Sequence, residues 1–178
     1  MNQHGPWKIL SSQWVYQDPW LQVRRDEVIR PDGVPGTYAV AHIKPGVCVL
    51  AVDDQRQVYL TEEFHYAVGE TTLECVSGGR DHDELALTAA RRELKEELGI
   101  EAEQWIDLGR LDPFTASVLS PTQLFLAMEL RMVEASPEGT ELIQRVKMPL
   151  DEAVDKVMNS QITHAPSMTL ILKAARIV

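Results

Sequence analysis

From Gly78 the chain runs Gly-Gly-Arg-Asp-His-Asp-Glu, then LALTAARRELKEEL, then Gly99-Ile100. A glycine-rich turn therefore feeds a helix-forming run over Leu85–Leu98, and Gly99 stands where a helix takes the left-handed residue that ends it. At about 100° per residue, Leu87, Ala90, Leu94 and Leu98 share one apolar stripe, which commits the helix to a core. Glu93 and Glu97 are one turn apart at the edge of that stripe, with Glu96 beside them. Like charges at this spacing cost a helix about 0.2–0.5 kcal/mol per pair. A divalent cation removes the repulsion, and carboxylate oxygens are the hard ligands that Mg2+ or Mn2+ prefers. A solvated Glu/Lys/Arg face explains RELKEEL alone equally well, and the longer spacing decides between the two.

Gly78, five residues, Glu84, seven residues and then Arg92-Glu93-Leu94-x-Glu96-Glu97-x-Gly99-Ile100 resembles the complete Nudix box, with every motif position present. The resemblance implies a hydrolase of a nucleoside diphosphate linked to another group, working with Mg2+ or Mn2+. By motif position, it makes Glu93 and Glu97 the main metal ligands, Glu96 an assisting one and the Ser77 carbonyl a backbone ligand. Gly78, Glu84 and Arg92 take the part of supporting the loop–helix geometry.

A chain of 178 residues is long enough for one well-cored domain with a small accessory layer. At 44% hydrophobic and 25% charged, its composition is that of a soluble globular protein. A formal net charge of −10 argues against general nucleic-acid binding, which draws on basic surface. A nucleotide substrate stays compatible, because bound metal reverses the sign locally. Cys48 and Cys75 lie in apolar strand-like runs and read as buried thiols. MNQHGPWKIL has no basic segment followed by an apolar one, and no apolar run nears the ~20 residues that span a bilayer. The expectation is a cytoplasmic protein without a membrane partner.

In chain order, Trp7–Tyr16, Leu21–Ile29 and Thr37–Ile43 read as strands divided by turn residues. Gly46–Val52 reads as a buried strand with Val58–Glu62 as its hairpin partner, and residues 64–69 as a loop into the strand Thr71–Val76. Strands follow near Gln104–Leu111, Leu124–Val133 and Glu141–Met148. The segment Asp112–Pro121 between the first two is long enough to line a site. Helices are expected from Pro149 to about Asn159 and over Ser167–Arg176.

Beyond the box the chain is similar to the ADP-ribose pyrophosphatase branch over nearly its whole length. WLQVRRDEVIRPDG resembles that branch's N-terminal strand pair, and EFHYAVGETTLECVSGG its lead-in to the box. LGRLDP places Pro113 like its characteristic proline, and KMPLDEAVDKVMNSQITHAPS resembles its C-terminal helix pair. The implied fold is α/β of the α+β kind: an α/β/α sandwich with a mixed central sheet over residues 44–178. An N-terminal antiparallel sheet layer over residues 1–43 would help to form a homodimer. The implied substrate is ADP-ribose, cut to AMP and ribose 5-phosphate. Trp20 and Tyr38 match the branch's adenine-stacking aromatics in position.

Three departures bear on the substrate. His65 stands where many relatives have an arginine near the phosphates, which makes that contact weaker or pH-dependent. PFTASVLSP lacks the branch's Ser-Pro-Gly and acidic pattern, and its acidic loop is reduced to Glu138-Gly-Thr-Glu141. Arg80, with Arg24 and Arg25, is a further candidate for phosphate contact. Glu141 is the first choice for the catalytic base and Glu138 the second. The competing account has a box glutamate such as Glu96 position the attacking water. Alternative substrates are another nucleotide sugar or a dinucleotide, such as GDP-mannose or NADH. A nucleotide-sensing module without turnover is the alternative outside the enzymes, but its usual marks are an eroded box or an appended basic domain.

Overall fold

The computed structural model describes residues 2–136, 139 and 142–178. Before the box come β1 (Asn2–His4), β2 (Trp7–Gln17), β3 (Leu21–Ile29), β4 (Pro35–Ile43), β5 (Gly46–Val52), β6 (Gln57–His65), β7 (Glu70–Glu74) and β8 (Val76–Gly79). Then follow α1 (Ala86–Leu98), β9 (Ile100–Leu111), β10 (Val118–Leu119), β11 (Thr122–Met132), β12 (Gln144–Pro149), α2 (Leu150–Met158) and α3 (Ala165–Ala174). The chain divides into two units: residues 1–44 with 112–121, and residues 45–111 with 122–178.

The first unit is a five-stranded sheet in the order β1-β2-β3-β4-β10. Its first four strands are antiparallel neighbours, and β10 joins β4 in parallel through Val118 beside Ala41. Residues 112–121 read from sequence as an irregular segment; the short strand within them gives the loop a fixed partner. Much of β2 is exposed, including Leu10, Trp14, Val15 and Tyr16.

The second unit is built on a seven-stranded sheet. β12, β6, β5, β11 and β9 lie side by side, with β7 added on β6 and β8 on β5. β5 and β11 are parallel and the other pairs antiparallel, so the sheet is mixed. GVCVLAV is apolar throughout because both faces of β5 are covered. Side chains alternate along a strand. Val47, Val49 and Ala51 therefore meet α1 through Ala90, Leu94 and Leu98. Cys48, Leu50 and Val52 fall in the cluster that contains Leu150, Ala153, Leu170 and Ile171 of α2 and α3. Helices on both faces make the expected α/β/α sandwich.

Several boundaries differ from those expected from sequence, each for a physical reason. Gly99 adopts φ 61°, which reverses the chain within one residue. β9 therefore starts at Ile100, buried against α1, and not at Gln104. α3 begins two residues early, because Pro166 suits the first turn of a helix. β6 extends through His65, and Gly69 at φ 73° closes its hairpin with β7. The run Thr71–Val76 is not one strand. β7 pairs with β6 as far as Glu74, β8 pairs with β5 from Val76, and Cys75 is the change-over. Cys48 and Cys75 are both buried and free.

Candidate active site

β8 lies against β5 with Ser77 opposite Cys48 and Gly78 opposite Val47. Helix α1 brings Glu93 over this strand. A Cβ on Gly78 would lie 2.0 Å from Glu93 Oε1 and 2.6 Å from Oε2. The carboxylate thus occupies the space any side chain at position 78 would need. With its side chain 12% exposed, Glu93 also needs polar partners.

Arg92 supplies one. Its Nη1 donates to Glu93 Oε1 at 2.8 Å and to Glu96 Oε2 at 3.1 Å. Its Nε and Nη2 hold the two oxygens of Glu84 at 3.1 and 3.2 Å, and Nη2 reaches the Gly79 carbonyl at 3.1 Å. Only a planar guanidinium offers donors in this fork. Its hydrogen bond to Glu84 comes first among the interactions that push the Arg92 guanidinium above its ordinary value. The same bond, joined by the Asp81 N–H at 3.0 Å, holds the Glu84 carboxyl below the usual carboxylate range. Arg80 donates to the backbone carbonyl of Glu84 at 3.1 and 2.6 Å, so that turn is held from both sides.

Glu97 lies one helical turn beyond Glu93 and is half-buried. The carboxylates of Glu93, Glu96 and Glu97 and the Ser77 carbonyl offer oxygen donors alone, the chemistry suited to Mg2+ or Mn2+. Among the described residues, no three His, Cys, Asp or Glu side chains are gathered into a cage. Mg2+ asks for none: one or two carboxylates suffice when water and substrate phosphates complete its shell. The hollow over Gly78 and this donor set fit such an ion.

His65 Nε2 is 3.3 Å from Glu74 Oε1. A phosphate would have to compete with Glu74 for His65, and with the Glu84 carbonyl for Arg80. Arg24 is paired with Asp26 and Arg25 with Glu27, each at 3.0 Å. Glu138 and Glu141, the two loop candidates for the base, lie outside the described residues.

The first unit holds a cavity of about 680 Å3. Trp7, Ile9, Val28 and Val40 give it apolar walls, while Arg24, Asp26 and His42 bring polar groups. Tyr38 lines it edge-on to Trp7, with ring centroids 5.3 Å apart, and donates its hydroxyl to the Ala116 carbonyl. His42 Nε2 is buried and has no hydrogen-bond partner among the described residues. Burial first, and the Arg24 charge second, hold His42 below its ordinary pKa. Trp20 is 73% exposed and outside the cavity. The register sets Asp26 opposite Tyr38 and Leu21 opposite Ile43. Trp20 and Tyr38 therefore stand ~17–20 Å apart along the ladder, and one chain does not bring them onto one base.

A family model described as the NUDIX domain matches residues 42–168. The chain belongs to the Nudix family. A second model, the nucleoside diphosphate sugar hydrolase N-terminal domain, matches residues 7–41. The chain is 28% identical over 177 residues to the ADP-ribose pyrophosphatase of Mycobacterium tuberculosis, spanning 97% of this chain and 84% of that protein. It is 23% identical over 159 residues to the methanol dehydrogenase activator of Bacillus methanolicus, spanning 87% of this chain and 85% of that one. A crystal structure of an ADP compounds hydrolase shares its fold, with a TM-score of 0.83 at 21% identity over 99% of this chain and 96% of the other. The family makes this Nudix protein a pyrophosphohydrolase.

Two of the polar clusters among the described residues of the Nudix chain bear on its cavities and strands without carrying a motif. One is Arg24, Asp26 and His42 in the cavity. Its legible sign is an acidic residue two positions before buried Val28, on the same strand face. The other joins Glu74 of β7 to His164 and Ser167 at the start of α3. No local pattern marks it, because its members are far apart in sequence.

Proposed function

We propose that the protein hydrolyses the diphosphate linkage of a nucleoside diphosphate sugar with Mg2+ or Mn2+, taking ADP-ribose first and releasing AMP and ribose 5-phosphate. The observation that carries this reading is the Glu93 carboxylate seated over Gly78 and tied through Arg92 to Glu96 and Glu84. Glu93, Glu97, Glu96 and the Ser77 carbonyl would hold the ion. When bound, it would neutralise charge on the diphosphate and acidify a water. Diphosphate hydrolysis further needs a positioned water and a proton acceptor. Glu141 is assigned to that task first and Glu138 second, with Glu96 as the alternative within the box. Arg92 keeps the glutamates in place between turnovers, and Gly78 leaves the space in which Glu93 sits. His65 and Arg80 are assigned to the phosphates.

The nucleobase is assigned to the first unit's cavity, where Tyr38 and Trp7 offer aromatic surface and His42 Nε2 a polar atom without a hydrogen-bond partner among the described residues. Trp20 would contribute to a base only from a second copy. The exposed apolar residues of β2 support a homodimer. Two buried free thiols suit the reducing cytoplasm.

The test is a panel of ADP-ribose, ADP-glucose, GDP-mannose, NADH and diadenosine polyphosphates, each with Mg2+ or Mn2+ and with products separated by chromatography. ADP-ribose should turn over fastest, and EDTA should abolish the reaction. Preference for GDP-mannose or NADH would replace the substrate. Tight nucleotide binding without turnover of anything would convert the reading to a sensor.

A further inference from the structure

A strand that changes partners leaves a backbone amide to satisfy at the change-over. Here that amide belongs to Cys75, and it donates to Ser167 Oγ at 2.8 Å. Ser167 lies in the first turn of α3 and is 0% exposed. Its backbone carbonyl also accepts from Cys75 Sγ at 3.9 Å. His164 Nδ1 stands 2.9 Å from Ser167 Oγ and 2.9 Å from Glu74 Oε2. Glu74 is held in turn by Thr72 Oγ1 at 2.6 Å and faces His65 at 3.3 Å. One buried serine thus holds both the backbone amide and the thiol of the residue that precedes β8.

We propose that Ser167 is a positioning residue for the metal-binding end of β8, setting where the Ser77 carbonyl and the Gly78 hollow stand against Glu93. The inference rests on the metal-dependent reading above. Ser77 and Gly78 are two and three residues past the tethered amide. Glu93 already fills the space over Gly78, so a small displacement of β8 changes the separation between two donors that must face one ion. Packing alone does not call for a hydroxyl here. A buried hydroxyl is costly unless its hydrogen bonds are made, and alanine would fill most of the same volume. The tether reaches β8 from α3, on the face of the sheet away from α1 and its glutamates.

The test measures Mn2+ binding to the full chain without substrate, following free Mn2+ by electron paramagnetic resonance, beside the thermal midpoint. Ser167→Ala should raise the Mn2+ Kd about tenfold or more, the scale on which supporting contacts tune metal affinity. His164→Ala, at a partly exposed residue, should raise it in the same direction by less. A folded Ser167→Ala with a Kd within about twofold of wild type, its thermal midpoint alone reduced, overturns the proposal. If Ser167→Ala does not fold, an unchanged Kd in His164→Ala overturns it equally. Glu97→Gln separates the role of Ser167 from the metal site itself. Wild-type binding that Glu97→Gln weakens but the Ser167 variant leaves intact removes only the role of Ser167. Absence of Mn2+ binding to wild type removes the metal reading as a whole.

Discussion

Gly78 has no room for a side chain, yet what fills the space is the far end of a long one. A methyl at position 78 would therefore displace the Glu93 carboxylate at little cost to the backbone. Gly78→Ala should melt near the wild-type temperature while losing about a hundredfold in kcat, in common with Glu93→Gln and Glu97→Gln. None of these side chains belongs to the buried stripe of Ala89, Ala90, Leu94 and Leu98. Steady-state kinetics and melting on one preparation check the point, and wild-type turnover in Gly78→Ala would remove Glu93 from the centre. Glu84 and Glu74 make a prediction in acid. The Arg92 bond holds Glu84 below the usual range. Burial pushes Glu74 up, but His164, Thr72 and the neighbouring imidazole charges outweigh it and leave Glu74 lowered as well. In each case the folded state binds fewer protons than the unfolded one. The stability they contribute is present above the ordinary carboxylate pKa of about 4.3 and is lost as pH falls through the lowered values. The thermal midpoint should drop below that pH, and Arg92→Gln should make the drop shallower. A wild-type midpoint unchanged between about pH 5 and pH 3 would contradict both assignments.

Among the elements, α1 and β5 are legible in sequence because each has one pattern with one meaning. Leu94 and Leu98 recur at helical spacing before a stopping glycine, and GVCVLAV is too short and too apolar for anything but a covered strand. The change-over at Cys75 is not legible. Thr71–Val76 reads as one strand, and the serine that takes the Cys75 amide lies 92 residues away. Charged Glu101 and Glu103 likewise hide the start of β9, which is fixed by pairing: Ile100 faces Met132, and Glu101 meets Arg131. Of the candidate site, the box glutamates and Arg92 are singled out by the family resemblance that the Gly78–Ile100 motif carries. The cavity does not, because residues 115–119 join the N-terminal strands only in three dimensions. Spacing also cannot show that Trp20 and Tyr38 sit at opposite ends of a ladder. Tyr38→Ala should therefore raise KM for ADP-ribose about tenfold or more with kcat little changed, given stacking worth about 1–3 kcal/mol per base. An unaltered KM with a lowered melting temperature would return Tyr38 to a packing role beside Trp7.

For the whole molecule, assembly and truncation are the accessible tests. Leu10, Trp14, Val15 and Tyr16 are exposed on β2. The full chain should sediment as a dimer, and Val15→Glu should shift it toward monomer with loss of activity. A fully active monomer would exclude a shared site. Removing residues 1–43 should give aggregation, because residues 112–121 would keep their place in the chain without β4, against which Val118 and Leu119 pair.

That same pairing bears on how such proteins exchange parts. The two family models abut near residue 42, which invites a chimera made with one crossover there. The first unit, however, is assembled from two separate stretches of chain. A single crossover would give one parent's strands another parent's loop, and with it a cavity whose walls had never been selected together. Recombinants that also carry residues 112–121 from the N-terminal donor would inherit the cavity as a whole.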